Sequence, residues 1–137
     1  MSEQITRQEA FDLLLNECPE AKPALDEQRK DYGDLPYMDI AVFARQLVES
    51  FEEGKTDSFP GIFAMIERLI TSGDDEVRGL AIVGFLEALQ NNASWTDFGP
   101  KVFVPWLGPK SLAAWDELNQ IWEGKRNLAD VVRDRVN

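Results

Sequence analysis

The feature that most limits the fold is the spacing of the apolar residues, which recur every three or four positions in segments separated by glycine and proline. This spacing puts apolar side chains on one face of an α-helix, whereas a half-buried strand alternates apolar and polar residues, and no segment does so convincingly. The sequence therefore predicts an all-α fold of six or seven helices in antiparallel pairs. With 137 residues, 44% of them hydrophobic, we expect one helical domain over 1–137.

The first four predicted helices are bounded by capping, proline and glycine signals. Their boundary residues are Thr6 and Pro19, Pro23 and Tyr32, Pro36 and Gly54, and Asp57 or Ser58 with Gly73. The second helix is expected to bury Ala21, Ala24, Leu25, Gln28 and Tyr32.

A fifth helix is expected after Asp74 and Asp75, and it is the most apolar segment of the chain. Only a narrow polar strip remains on its helical wheel, consisting of Glu76, Glu87, Gln90 and Asn91. A helix that is apolar on nearly all sides is usually packed by several neighbours. We therefore predict that this helix is the central one.

Residues 93–109 contain three prolines and four large aromatic residues, and we expect them to form an irregular lid over the core. The aromatic residues of this segment are Trp95, Phe98, Phe103 and Trp106. A sixth helix is predicted from Ser111, and a last short helix from Asn127. Trp95 and Trp106 are the tryptophans most open to a ligand-binding role, since Trp115 and Trp122 lie on one helix face and are expected in the core.

The acidic residues are concentrated in one half of the chain. The formal net charge is −11, and residues 1–76 hold 18 acidic and 7 basic side chains, whereas residues 77–137 hold 7 of each. Such a field repels phosphate backbones, which argues against nucleic-acid binding. It also accelerates encounter with a basic protein, although acidity that serves only solubility is the alternative.

Catalytic and metal-binding signatures are scarce. The chain has no histidine and one cysteine, Cys18, so it lacks the commonest general base, the histidine-assisted nucleophiles and a cysteine-based zinc site. Two carboxylate clusters remain, Asp74-Asp75-Glu76 and Glu49 with Glu52 and Glu53, and helix capping or solvation explains both without a metal. We predict no enzyme activity, no cofactor and no metal. A single cysteine and the absence of a long apolar run lead us to expect a cytoplasmic protein with no membrane contact.

Two local resemblances bear on function. Residues 58–91, with a Gly-Asp-Asp turn and Arg78 shortly after it, resemble one helical hairpin of a HEAT repeat. In that family an aspartate and an arginine at the start of the second helix pair, which implies a pair between Asp74 or Asp75 and Arg78. The run 72–91, together with Leu107-Gly108-Pro109 and Trp115, is similar to a family of small bacterial helical proteins with possible toxin-immunity members. That resemblance implies a class of function and no catalytic residues.

The most suggestive segment for binding alternates tyrosine with aspartate between the second and third helices. Tyrosine rings supply rigid contact area and carboxylates supply orientation, so the segment is typical of a protein interface. The predicted partner-binding residues are Asp31, Tyr32, Asp34, Tyr37, Asp39, Glu52 and Glu53. The alternative is that Tyr32 and Tyr37 pack inward while the aspartates cap helices.

Three functional hypotheses follow from these patterns. The first is an immunity or inhibitor protein that neutralises a basic effector, such as a toxin domain, by stoichiometric binding. The second is a structural adaptor or assembly factor of paired helices, with a homodimer as one form it can take. The third is an enzyme that uses carboxylates alone. The sequence leaves the partner's identity and the oligomeric state open.

Overall fold

The computed structural model describes residues 4–122, and within them it is all-α, as predicted. Seven α-helices follow one another in this described part of the chain. They are α1 (Arg7–Glu17), α2 (Lys22–Tyr32), α3 (Pro36–Glu52), α4 (Phe59–Ser72), α5 (Asp75–Gly79), α6 (Glu87–Ser94) and α7 (Pro109–Trp122). The helix predicted from Asn127 lies outside the described residues.

The α1 helix lies antiparallel to α4. Its start carries the predicted capping box, in which the backbone N–H of Thr6 donates to Glu9 Oε1 at 3.3 Å. Ile5, just before it, forms an isolated bridge to the far end of α4, because its N–H donates to the Ser72 carbonyl at 2.9 Å. Glu17, at the end of α1, lies against Gly61 near the beginning of α4.

The predicted fifth helix is a single helical run that changes its winding in the middle. Between α5 and α6, residues Leu80–Leu86 form a π-helical segment, and the backbone N–H of Glu87 bonds to the carbonyl of Ile82, five residues back. We call α5, this segment and α6 together the central helix. Phe85 is fully buried within it and meets Phe63 of α4 edge-on, with ring centroids 6.1 Å apart.

The central helix packs most extensively against α3, and the two run in the same direction. Tyr37, at the start of α3, lies beside Gly79 and Gly84, whereas Phe51, at its end, contacts Phe98 beyond α6 with a centroid distance of 4.7 Å. The close approach depends on glycine. A Cβ atom at Gly84 would lie 2.5 Å from a side-chain methyl carbon of α3.

The predicted irregular lid contains a 3₁₀-helix over Pro100–Trp106. Phe103 is fully buried, and the ring of Trp106 stacks on Phe63 with an interplanar angle of 15°. Phe98 packs on Phe51. The segment therefore covers the core as expected, but Trp95, the first of its four aromatic residues, does not take part.

A carboxylate from α4 holds the beginning of α7. Glu67 accepts hydrogen bonds from the backbone N–H of Lys110 at 3.0 Å and of Ser111 at 2.8 Å, and from the Ser111 hydroxyl at 2.8 Å. Partial burial alone would raise the pKa of Glu67, but these hydrogen bonds to its ionised form hold the pKa below its ordinary value.

Two predictions of burial were wrong. Of the stripe expected for the second helix, only Leu25 in α2 and Ala21 just before it are fully buried, whereas Ala24 and Tyr32 are exposed. Gln90, assigned to the polar strip of the central helix, is buried and donates to the Trp115 carbonyl at 3.1 Å.

Candidate protein-binding surface

The connection between α2 and α3 presents four large side chains to solvent. The α2 helix ends at Tyr32, Gly33 turns the chain with a φ of 79°, and Pro36 begins α3. Glycine suits this turn because a positive φ is strained for other residues. The exposed side chains around the turn are Tyr32 (62% exposed), Leu35, Tyr37 (49% exposed) and Met38.

A fifth exposed apolar side chain, Val83, belongs to the π-helical segment and lines one groove together with Tyr37. Gly79 has no side chain, so the Tyr37 hydroxyl can lie close to it. The hydroxyl oxygen is 2.9 Å from the position that a Cβ atom of residue 79 would occupy. Of the seven large hydrophobic side chains exposed in the described residues, five therefore come from this region. We call Tyr32, Leu35, Tyr37, Met38 and Val83 the Tyr37 face.

Asp39 does not belong to this surface, which corrects the sequence prediction. Its side chain is fully buried, and Oδ2 accepts a hydrogen bond from Arg29 Nε at 3.1 Å. The Arg29 guanidinium also lies over the Phe11 ring, 4.9 Å from its centroid. Asp39 lies three and four residues before the buried Val42 and Phe43, so it is on the face of α3 that packs inward. Asp39 thus joins α3 to α2 and cannot touch a partner.

Acidic side chains border the Tyr37 face. Asp31 and Asp34 are exposed beside the turn, and Asp34 lies 3.8 Å from Arg7. Glu87 lines the groove next to Val83. An apolar centre with a charged, solvent-accessible border is the usual anatomy of a protein interface.

The structure does not bring the other predicted acids to this place. Glu52 and Glu53 are exposed at the opposite end of α3, about 23 Å along the helix axis from Tyr37. Glu53 pairs there with Lys55 at 3.2 Å. The predicted binding set therefore forms two separate acidic regions, one at each end of α3.

The two candidate tryptophans differ in environment. Trp95 is 86% exposed at the C-terminal end of α6. Trp106 is half-buried and packs edge-on against Phe59 with centroids 5.0 Å apart. Trp106 is therefore a core element, and the two rings are not combined in any described groove.

The carboxylates of the first predicted cluster each have a structural partner. Asp74 Oδ1 caps α5 by accepting from the Val77 backbone N–H at 2.9 Å. Asp75 pairs with Arg78, and Glu76 lies 3.5 Å from Arg7. Within residues 4–122, no three side chains of the metal-binding types lie together as an ion site would require.

The single cysteine lies in the core. Burial, reinforced by the neighbouring Glu20, raises the pKa of the Cys18 thiol to about 12. The thiol therefore stays protonated at neutral pH and is a poor nucleophile. Cys18 is fully buried directly after the last residue of α1.

Sequence reasoning missed three members of the Tyr37 face. Leu35 follows Asp34 and Met38 follows Tyr37, so each is next to a residue that was predicted to bind a partner, and this proximity was the available signal. Val83 was assigned to the core because it lies in a nearly continuous apolar run. Its exposure depends on how α3 packs against the central helix, and no residue pattern near Val83 predicts that packing.

Neither a curated protein nor a solved structure is detectably similar to the chain. In the described residues, no helix combines the length and apolar character needed to cross a membrane. A family described as a domain of unknown function, DUF7674, matches residues 11–123. The match spans most of the chain, including α2, α3 and the central helix, and the protein therefore belongs to the DUF7674 family.

Proposed function

We propose that this protein acts by stoichiometric binding of a basic protein through the Tyr37 face. The observation that carries the proposal concerns the large hydrophobic side chains that are exposed within residues 4–122: five of these seven come from one region. Scattered exposed apolar residues are normal, but a contiguous group bordered by polar residues marks an interaction site.

The composition of the face supports binding to protein. Tyr32 and Tyr37 supply two rigid aromatic rings, and tyrosine is enriched among residues that dominate binding energy. Leu35 and Met38 add exposed apolar area in the same segment. Methionine also adapts to irregular partner surfaces. Alanine at Tyr37 should remove contact area without unfolding the helix, because the ring is 49% exposed.

The charge of the chain selects the partner. A net charge of −11 attracts basic proteins and repels acidic ones, and Asp31, Asp34 and Glu87 place part of that charge beside the apolar face. Steering of this kind raises association rates above those of neutral surfaces. A basic protein with an apolar contact patch fits both features.

Within this proposal, the resemblance to toxin-immunity proteins suggests a specific role. An immunity protein works by covering its target, so it needs a complementary surface and no catalytic group. The Tyr37 face meets that need. The partner would then be a basic toxin domain, bound one to one.

The test begins by finding the partner and then asks how it binds. Replacing Tyr37 with a photo-crosslinking phenylalanine derivative in the native host attaches the protein that occupies the face. Association of the purified pair is followed by stopped flow at two salt concentrations. Reversing Asp31 and Asp34 to lysine should lower the low-salt on-rate by about tenfold, within the range attributed to steering.

A matched control separates local docking from overall charge. Reversing Glu52 and Glu53 changes the net charge by the same amount, but at the far end of α3. At physiological ionic strength we expect this control to change the on-rate at least threefold less than the Asp31 and Asp34 reversals do, because exposed charges farther apart than roughly 8 Å are then largely screened. Equal effects of the two double reversals, or an acidic partner, would refute binding at the Tyr37 face.

A structural adaptor is the second candidate, and one observation favours it. Asp75 pairs with Arg78 at the start of α5, as the HEAT-like reading of α4 and the central helix requires. An adaptor of this kind could use the same exposed face between two copies of the chain. Sedimentation equilibrium distinguishes the two, because a homodimer that Tyr37→Ala dissociates supports the adaptor and a monomer supports the inhibitor.

A further inference from the structure

The Tyr37 face continues into a groove between α3 and the central helix. The groove has a volume of about 350 Å³ and is open to solvent. Its floor is made of small residues, Ala41 from α3 with Gly84 and Ala88 from the central helix. Tyr37 and Val83 form its apolar end. A volume near the lower limit of roughly 300–1,000 Å³ for ligand pockets suits one or two side chains better than a cofactor.

The packing of the two helices creates this groove. The contact between Gly84 and Ile40 leaves room for no side chain at position 84, so the helices approach closely beneath the floor. The Tyr37 ring lies 3.3 Å from the same hypothetical Cβ position and forms one wall. The groove therefore belongs to the folded scaffold and does not require rearrangement to open.

An acid that is available to a partner lies midway along the groove. Glu87 lies one helical turn from Val83, about 6 Å along the axis. It is half-buried, and among the ion pairs within residues 4–122 none involves Glu87. A partner that presents an aliphatic side chain and a cation at that separation would fill the apolar part of the groove and pair with Glu87.

We propose that the groove receives an amphipathic helix of the basic partner. An aliphatic side chain would lie over Ala41, Gly84 and Ala88, and a lysine or arginine one turn away would pair with Glu87. The inference rests on the proposed function, since it assumes that the partner is basic. It adds which chemistry the partner presents and in which conformation.

The helical conformation follows from the backbone. The described residues offer no strand edge, so an extended segment would find no main-chain hydrogen-bond partners here. A helix satisfies its own backbone and presents i and i+4 side chains on one face. From Val83 to Asn91 the groove runs about 12 Å, the length of two helical turns.

Synthetic helices test this chemistry without knowledge of the partner. The probe is a helix-stabilised basic peptide with one leucine and a lysine four residues later, titrated into the isotopically labelled full chain. We expect amide chemical-shift changes concentrated at Ala41, Gly84 and Ala88. Sister peptides with alanine for the leucine, or glutamate for the lysine, should bind at least tenfold more weakly.

Two variants of the protein complete the test. Ala88→Leu fills the floor and should weaken peptide binding at least tenfold, whereas Ala113→Leu, the same change on the exposed side of α7, should leave it unchanged. Glu87→Gln should abolish the preference for lysine over glutamate in the peptide, whereas Glu49→Gln should keep it. Circular dichroism verifies that each variant is folded.

The outcomes separate this inference from the proposed function. If the probe causes no groove shifts at millimolar concentration, or binds Ala88→Leu as well as the native chain, the groove inference is refuted. If the natural basic partner responds to the Asp31 and Asp34 reversals but not to Ala88→Leu, the proposed function stands and the groove inference falls. If the peptides behave as expected but no basic protein associates at the Tyr37 face, the proposed function fails and the groove chemistry remains.

Discussion

Replacing Arg29 with methionine removes the cation that faces the buried carboxylate of Asp39, and the expected cost follows from the geometry. Arg29 Nε lies 3.1 Å from Asp39 Oδ2, and the guanidinium lies 4.9 Å from the Phe11 ring centroid. Breaking a buried ion pair from one side costs about 3–5 kcal/mol, because the remaining charge is uncompensated. Losing the cation–π contact adds about 0.5–1 kcal/mol.

Solvent reduces the first of these contributions. The Arg29 side chain is 39% exposed, so water screens part of the attraction and can reach the vacated position. We therefore expect Arg29→Met to lower the free energy of unfolding by about 2–4 kcal/mol. Asp39→Asn should cost less, about 1–2 kcal/mol, because it removes the buried charge and leaves a cation that solvent can hydrate.

The decisive measurement is whether Asp39→Asn raises or lowers the free energy of unfolding of the Arg29→Met variant. With Arg29 absent, Asp39→Asn eliminates an unpaired buried charge and should restore stability, so the double variant should be more stable than Arg29→Met. Urea unfolding at pH 7 followed by circular dichroism measures all four members of the cycle. A cost below 1 kcal/mol for Arg29→Met, or further destabilisation by Asp39→Asn in that background, would contradict the role assigned to this pair.

Three further predictions concern the core, the helix contact and the α7 cap. Phe85→Ala should cost about 3–5 kcal/mol in urea unfolding, because the ring is fully buried in the central helix. Gly84→Ala should lower the free energy of unfolding by about 1–3 kcal/mol, because the added methyl group would lie 2.5 Å from an Ile40 carbon. This change normally strengthens a helix, so a stabilised variant would disprove the close contact. The pKa of Glu67 is lowered in the folded state, so the ionised carboxylate stabilises the fold. This stabilisation is complete above the ordinary pKa of 4.5 and is lost as the pH falls through the folded-state pKa. The stability difference between the native chain and Glu67→Gln should therefore shrink between pH 6 and pH 3, and a constant difference would count against the cap.

The helices and their boundaries could be read from local sequence because the signals that create them are local. Apolar spacing identifies a helix, and proline or glycine sets its ends through backbone geometry, as at Pro36 and Gly73. The capping box at Thr6 and Glu9 involves residues only three positions apart. The central position of the fifth helix was also predictable, since a helix apolar on most sides must be covered by several neighbours.

Burial along the central helix could not be predicted residue by residue. A wheel drawn with uniform α-helical spacing assigns Gln90 to the polar strip, but the π-helical turn that ends at Glu87 changes the helical phase between α5 and α6. Gln90 therefore turns inward and donates to the Trp115 carbonyl and to Asn119 Oδ1. Both acceptors lie on α7, more than twenty residues away.

The sequence by itself determined that Tyr32 and Tyr37 lie beside acids at a turn between two helices, and that the excess negative charge belongs to the first half. Only the tertiary structure decided which of these residues share a surface. It buried Asp39 against Arg29, left Glu52 at the far end of α3, and brought Val83 beside Tyr37. The physical reason is that surface membership depends on helix-to-helix packing, which in this chain is set by contacts such as Gly84 with Ile40 between residues distant in sequence.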